Sequence, residues 1–225
     1  MSTVEIQKPL NYFRIAWQSA LAAGLCLGLP AGLLLWLILF REINHSVLIE
    51  QSVMLLQANG VNKIIVLAVC SLMWSFLLGR ISGYRPWWKI GLATVLGIFA
   101  GWFSPLSNLD GWFGDKVPVH TLYAIAMSGI VLSATVCVGL AYGLMLRSGK
   151  AALVMALTTS LVSVLTLLLT IILFDQFGIR VGGKIHLAMS KVTATSLMLS
   201  AIMGGMVLGV QFSRLVRKKS IHHLL

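Results

Sequence analysis

Residues 151–174 read AALVMALTTSLVSVLTLLLTIILF, an apolar run that contains no charged residue. A helix rises about 1.5 Å per residue, so this run extends about 36 Å. That length exceeds the roughly 30 Å of hydrocarbon in a typical bilayer. The run therefore predicts a transmembrane helix, and the rest of the chain can be read outward from it.

Five further apolar runs resemble the first in composition. Together the six predicted spans are residues 15–40, 64–79, 90–106, 120–146, 151–174 and 187–212. A hydrophobic content of 58%, a charged content of 10% and a mean hydropathy of +0.93 exclude an ordinary water-soluble fold. The predicted fold class is an all-α integral membrane protein in which residues 1–225 form a single bundle of six transmembrane helices. The run nearest the amino terminus, residues 15–40, is too long for a signal-peptide core, so it is predicted to be a retained span.

Positive charge is distributed unevenly between the two predicted sides. Eleven of the 17 Lys and Arg residues fall on the side that holds both termini, and five of the six acidic residues fall on the other. Because cytoplasmic loops carry the excess of Lys and Arg, both termini are predicted to be cytoplasmic, in the cell (inner) membrane.

This asymmetry also accounts for the net charge of +11 without a nucleic-acid partner, so none is predicted. The cations of the inner side are instead predicted to contact anionic lipid. These residues are Arg80, Arg85, Lys89, Arg147, Lys150, Arg214, Arg217, Lys218 and Lys219.

Small residues recur at every fourth position in four of the spans. The rows include Ala16, Ala20, Gly24, Gly28 and Gly32 in the first span, Gly97 and Gly101 in the third, Gly139 and Gly143 in the fourth, and Gly205 and Gly209 in the sixth. Such rows allow helix backbones to approach closely, and packing drives helix association in lipid. The rows predict either packing inside the bundle or a docking face for another membrane protein or a second copy of the chain.

The first and fifth spans carry other distinctive features. Pro30 removes a backbone hydrogen bond and is expected to bend the first helix. The fifth span has a row of hydroxyls at Thr159, Ser163, Thr166 and Thr170. These hydroxyls could line a small polar cavity or bond back to the preceding helical turn.

Two predicted inner turns are similar in sequence. Residues 80–83 read RISG after the second span, and residues 147–149 read RSG after the fourth. The similarity fits either a duplicated pair of hairpins or the ordinary preference of tight cytoplasmic turns for these residue types.

Catalytic and ion-coupling signatures are missing from the sequence. No Asp, Glu, Lys or Arg lies well inside a predicted span, which disfavours ion-coupled transport. No nucleophile elbow, phosphate-binding loop or nucleotide fingerprint occurs, so the chain is predicted not to be an enzyme. His45, His120 and His186 fall on the outer side, where paired imidazoles could hold haem or a metal. They lack ligand spacing, and we predict no bound metal or cofactor.

The leading functional interpretation is a non-catalytic subunit that packs against partner membrane proteins. In layout alone, with six spans in about 200 residues and a small-residue row on the first helix, the chain resembles the substrate-binding components of energy-coupling-factor vitamin importers. That resemblance implies an alternative, a small-solute transport component in which the first-helix row docks a coupling partner and the outer loops close over a polar ligand. Haem or metal binding at the outer face is a third interpretation.

Overall fold

A computed structural model describes residues 11–32, 60–105, 119–176 and 185–222, and all regular structure within these ranges is helical. The helices are α1 (Tyr12–Gly32), α2 (Gly60–Ser82), α3 (Trp87–Trp102), α4 (Val119–Met145), α5 (Gly149–Gln176) and α6 (Ile185–His222). The helical class predicted from the sequence is therefore confirmed.

Four stretches of the described chain are long and apolar enough to cross a membrane. They are Tyr12–Gly32, Met127–Met145, Gly149–Leu173 and Ala194–Lys218, and two shorter apolar helices are Ala68–Ser82 and Trp87–Gly101. Large apolar side chains point outward along these helices, among them Leu25, Leu96 and Leu161, each more than half exposed. Such an outer surface fits a hydrocarbon solvent, so these helices indicate a membrane protein.

The helices form a closed ring in chain order. Each packs beside the next, and α6 returns to pack along α1. The connections at residues 83–86 and 146–148 are short, which forces the helices they join to run antiparallel. All neighbours in the ring run antiparallel, so the start of α1 and the end of α6 lie at the same end of the bundle as these two turns.

The seam between α1 and α6 closes the ring, and small residues line it on both sides. At each glycine of this seam, an added Cβ atom would lie within 3.1 Å of an atom of the facing helix. The facing pairs are Gly32 with Ala194, Gly28 with Met198, Gly24 with Ile202, Gly205 with Ala23, and Gly209 with Ser19. The absence of side chains therefore lets these two backbones run close together over most of α1.

A π-helical turn at Gly24–Gly28 interrupts α1 just before Pro30. Proline cannot donate a backbone hydrogen bond, and its ring would clash with the carbonyl of Cys26 in a regular helix. The wider turn, in which the Leu29 amide bonds to the carbonyl of Gly24, accommodates the ring. In a regular α-helix, residues four apart point in slightly different directions, because one turn takes 3.6 residues. The wider turn offsets this rotation and keeps Gly24, Gly28 and Gly32 facing α6.

The two short turns of similar sequence adopt different backbone conformations. At the first turn Gly83 takes the left-handed conformation, with a φ of 74°. At the second turn Arg147 takes it, with a φ of 53°, while Gly149 begins α5. The amides of Arg147 and Ser148 bond to the carbonyls of Leu144 and Gly143, which is the Schellman ending of a helix. The shared letters therefore have different backbone roles.

We expect Arg147→Gly to raise the free energy of unfolding by about 0.5 kcal/mol. The left-handed backbone costs a residue with a Cβ roughly 1–2 kcal/mol, and part of this gain is offset by the greater entropy of glycine in the unfolded chain. The matched change Gly83→Ala should lower stability by about 1 kcal/mol, because no atom lies within 4 Å of the added Cβ and only the backbone opposes it. Thermal unfolding in detergent measures the stability of both variants. A loss of stability in Arg147→Gly would contradict the left-handed backbone assigned to Arg147.

Candidate functional site

The hydroxyl of Tyr142, a fully buried residue, lies at the centre of a chain of hydrogen bonds. The indole N–H of Trp74 on α2 donates to the Tyr142 hydroxyl on α4 at 2.8 Å. That hydroxyl lies 2.6 Å from the Thr94 hydroxyl on α3, which itself donates to the carbonyl of Ile90 at 2.7 Å. Because the Thr94 proton is directed to Ile90, Tyr142 donates to Thr94. Every donor in this chain therefore has an acceptor, and the chain links three helices.

Aromatic packing extends this network to α6. The ring of Phe212 meets Tyr142 edge-on at 5.5 Å, and it meets Tyr84 in the same way and at the same distance. Trp74, Tyr142 and Phe212 are fully buried. We call Trp74, Thr94, Tyr142 and Phe212 the aromatic core. It joins α2, α3, α4 and α6 near the end of the bundle that holds the two short turns.

The sequence interpretation missed the aromatic core. Trp and Tyr in membrane proteins are usually anchors at the interface, so their presence in a span does not by itself predict a buried network. Trp74 and Tyr142 lie inside their helices, where a buried N–H or O–H requires a partner. That requirement was the available signal, although it could not have indicated which residues pair.

The hydroxyl row of α5 is divided between bonds within the helix and bonds to α6. Thr166 and Thr170 donate to the carbonyls of Val162 and Thr166, one turn earlier. The Ser200 hydroxyl donates to the Ser163 carbonyl at 2.8 Å, and the Ser163 hydroxyl lies 3.5 Å from the Ser200 carbonyl. Thr159 and Ser163 are both buried. Ser163 therefore lies in a contact between α5 and α6, whereas Thr166 and Thr170 bond within α5.

The small-residue rows all face other helices of this chain. The glycines of the rows in the first and sixth predicted spans form the α1–α6 seam, in which Ala20 is buried and Ala16 half-buried. Gly97 and Gly101 lie against Val138 and Ala134 of α4. Gly139 and Gly143 lie against Ala156 and Ala152 of α5. The rows are thus occupied by the chain's own helices along the described segments.

The histidine candidates cannot be placed as a set. His45 and the side chains of His120 and His186 lie outside the described residues. In the part of the chain that is described, no three potential metal ligands come together.

Most cations of the described residues collect at one end of the bundle, where all those with described side chains are exposed except the half-buried Arg217. Arg80, Arg85 and Lys89 surround the turn between α2 and α3, Arg147 and Lys150 the turn between α4 and α5, and Arg214, Arg217 and Lys218 the end of α6. Lys219 belongs to the same helix, although its side chain lies outside the described residues. The single acidic residue within the described ranges, Asp175, lies at the opposite end, near the end of α5. We call the end that holds these cations the basic end of the bundle.

An open notch lies at the basic end, between the last turn of α2 and the first turn of α3. Its volume is about 400 Å³, and its lining includes Arg80, Arg85 and the aromatic residues Phe76, Tyr84 and Trp87. Burial raises the pKa of the Tyr84 phenol above its ordinary value, so Tyr84 is neutral and the two arginines set the charge of the notch.

Comparison of this chain with protein-family models, with curated proteins and with solved structures finds no match.

Proposed function

We propose that this chain is a non-catalytic, multi-pass subunit of a larger assembly in the cell membrane, with its basic end in the cytoplasm. One observation carries the proposal. Among the residues whose burial the structure describes, no charged side chain is buried, and the interior of the ring is filled by aromatic, aliphatic and hydroxyl groups. A protein with such an interior interacts with other molecules mainly through its outer surface.

The glycine rows contact other helices of this chain, so they are not open to a partner, and in this proposal the partner binds elsewhere on the bundle. The partner would contact the outward apolar side chains, such as Leu25 on α1 or Leu161 on α5, because both are exposed by about three-fifths. Of the hydroxyls that suggested a polar cavity, those of Thr166 and Thr170 bond within α5 and that of Ser163 meets α6, so these hydrogen bonds do not favour the small-solute alternative.

Native mass spectrometry combined with photo-crosslinking tests the subunit proposal. The chain is extracted from its own membrane in mild detergent after a photoreactive amino acid is placed at Leu25, at Leu161 or at the buried control Leu167. We expect masses well above 24.4 kDa that contain a second polypeptide, and crosslinks to that polypeptide from an outward position but not from Leu167. A lone chain whose outward positions yield only lipid adducts would contradict the proposal.

Cysteine labelling tests the orientation separately. In a variant without Cys26, Cys70 and Cys137, a single cysteine is introduced at Phe103 or at Lys150, which lie exposed at opposite ends of the bundle. We expect a membrane-impermeant maleimide to label Phe103→Cys in intact cells. Lys150→Cys should be labelled only after the cells are permeabilised, because cations remain on the cytoplasmic side. The reverse pattern would contradict a cytoplasmic basic end.

A further inference from the structure

The notch between α2 and α3 concentrates positive charge, and no carboxylate in the described part of the chain lies beside it. Arg80 and Arg85 are both exposed, and the one acidic residue of the described ranges, Asp175, lies at the other end of the bundle. Two guanidinium groups at one cavity provide a planar, always-charged donor set that suits the oxygens of a phosphate group.

The aromatic wall of the notch points to a ligand that is only partly polar. Phe76 and Trp87 meet edge-on, with ring centres 5.9 Å apart; Trp87 is two-fifths exposed and Phe76 nearly half. The next residue, Trp88, is more than half exposed and carries the Lys89 ammonium 5.5 Å from its ring centre. Tryptophan and lysine side chains arranged in this way are typical of the depth at which lipid headgroups lie.

The first turn of α3 adds to the attraction for an anion. The helix starts at Trp87 after Pro86, without a side-chain cap, and the Trp87 and Lys89 amides bond to the carbonyls of Arg85 and Pro86. The N-terminal end of a helix carries partial positive charge. This field reinforces the two arginines, which supply the main charge of the notch.

We propose that this notch is a binding site for the phosphate of an anionic phospholipid headgroup, with Arg80 and Arg85 contacting the phosphate and Phe76 and Trp87 packing against the glycerol and upper acyl chains. The site rests on the proposed membrane location of the chain, with this end at the cytoplasmic leaflet, where anionic lipid is enriched. It does not depend on any protein partner.

Native mass spectrometry of the delipidated full chain in a neutral detergent tests the site. Phosphatidylglycerol is added in one series and zwitterionic phosphatidylcholine in another. We expect a discrete phosphatidylglycerol adduct and little phosphatidylcholine binding. The variant Arg80→Gln/Arg85→Gln should weaken phosphatidylglycerol binding by about tenfold or more, since it removes charged hydrogen bonds to the phosphate that the control variant leaves in place. Arg80→Lys/Arg85→Lys keeps both charges but loses the planar guanidinium donors, so its affinity should fall between those of the wild-type chain and the glutamine variant.

A matched double variant distinguishes the notch from general surface charge. Arg147→Gln/Lys150→Gln removes two exposed cations from the other turn of the basic end and should change phosphatidylglycerol binding less than twofold. Equal losses in the two double variants would overturn the site.

Two further results separate this inference from its alternatives. Displacement of the lipid by inorganic phosphate at equal concentration would overturn the lipid assignment in favour of free phosphate. If the chain extracted from its own membrane carries no second polypeptide, yet the delipidated chain binds phosphatidylglycerol through the notch, the subunit proposal fails and the lipid site stands.

Discussion

Replacing Gly143 with leucine is expected to separate α4 from α5 and to lower the free energy of unfolding by about 3 kcal/mol. This is the upper end of the cost that is usual when a side chain is added to a tightly packed core. A Cβ atom at this position would fall on the Cα, Cβ and backbone nitrogen of Ala152. Backbone atoms cannot move aside by changing rotamer, and the short turn at residues 146–148 prevents α5 from moving away at this end. Thermal unfolding of the purified chain in detergent measures the loss.

Gly149→Leu is the matched control for this variant. It introduces the same side chain six residues later, at a position where no atom lies within 4 Å of the added Cβ. We expect its unfolding temperature to stay close to that of the wild-type chain. If the two leucine variants unfold at the same temperature, the tight α4–α5 contact is wrong.

The second large effect is expected at the aromatic core, where Tyr142→Phe should cost about 1–3 kcal/mol. Removal of the hydroxyl leaves the Trp74 N–H buried without its acceptor, and an unmade buried hydrogen bond costs more than a made one contributes. Thr94 keeps its bond to Ile90, so the penalty falls mainly on Trp74. Chemical or thermal unfolding in detergent measures the difference.

Tyr84→Phe provides a control of identical chemistry. Tyr84 packs against Phe212 with the same geometry as Tyr142, but it is only half-buried. Its loss of a hydroxyl should change stability by less than about 0.5 kcal/mol. A double-mutant cycle of Tyr142→Phe with Thr94→Val should show coupling, because the two hydroxyls share one hydrogen bond. Additive losses would mean that this bond contributes nothing.

Helix positions could be predicted from this sequence because hydrocarbon requires long apolar runs. The predicted fourth span, residues 120–146, and the observed α4, Val119–Met145, differ by one residue at each end. The largest difference is at the end of α6, which continues to His222, ten residues beyond the predicted span. Arg and Lys are good helix formers, so the helix continues after its apolar part ends.

The arrangement of the helices could not be predicted, because a row of small residues permits close packing without indicating which helix fills it. Gly24 and Gly97 have similar sequence surroundings, yet one faces α6 and the other α4. The same limit applies to the candidate site. The arginines of the notch were predicted as lipid contacts by sign of charge, whereas their position beside Phe76 and Trp87 follows from the α2–α3 turn. The histidine predictions lie outside the described residues and stay predictions.

The seam between α1 and α6 has a consequence for biosynthesis. Gly24 is synthesised roughly 180 residues before Ile202, which faces it in the finished protein. At about 5–20 residues per second, translation of that interval takes roughly 10–35 s. During this time the glycine face of α1 has no permanent neighbour, and the ring cannot close until α6 has been inserted. A nascent chain stopped after α5 would therefore expose this face to the membrane's quality-control proteases, which makes closure of the seam a test of whether synthesis has been completed.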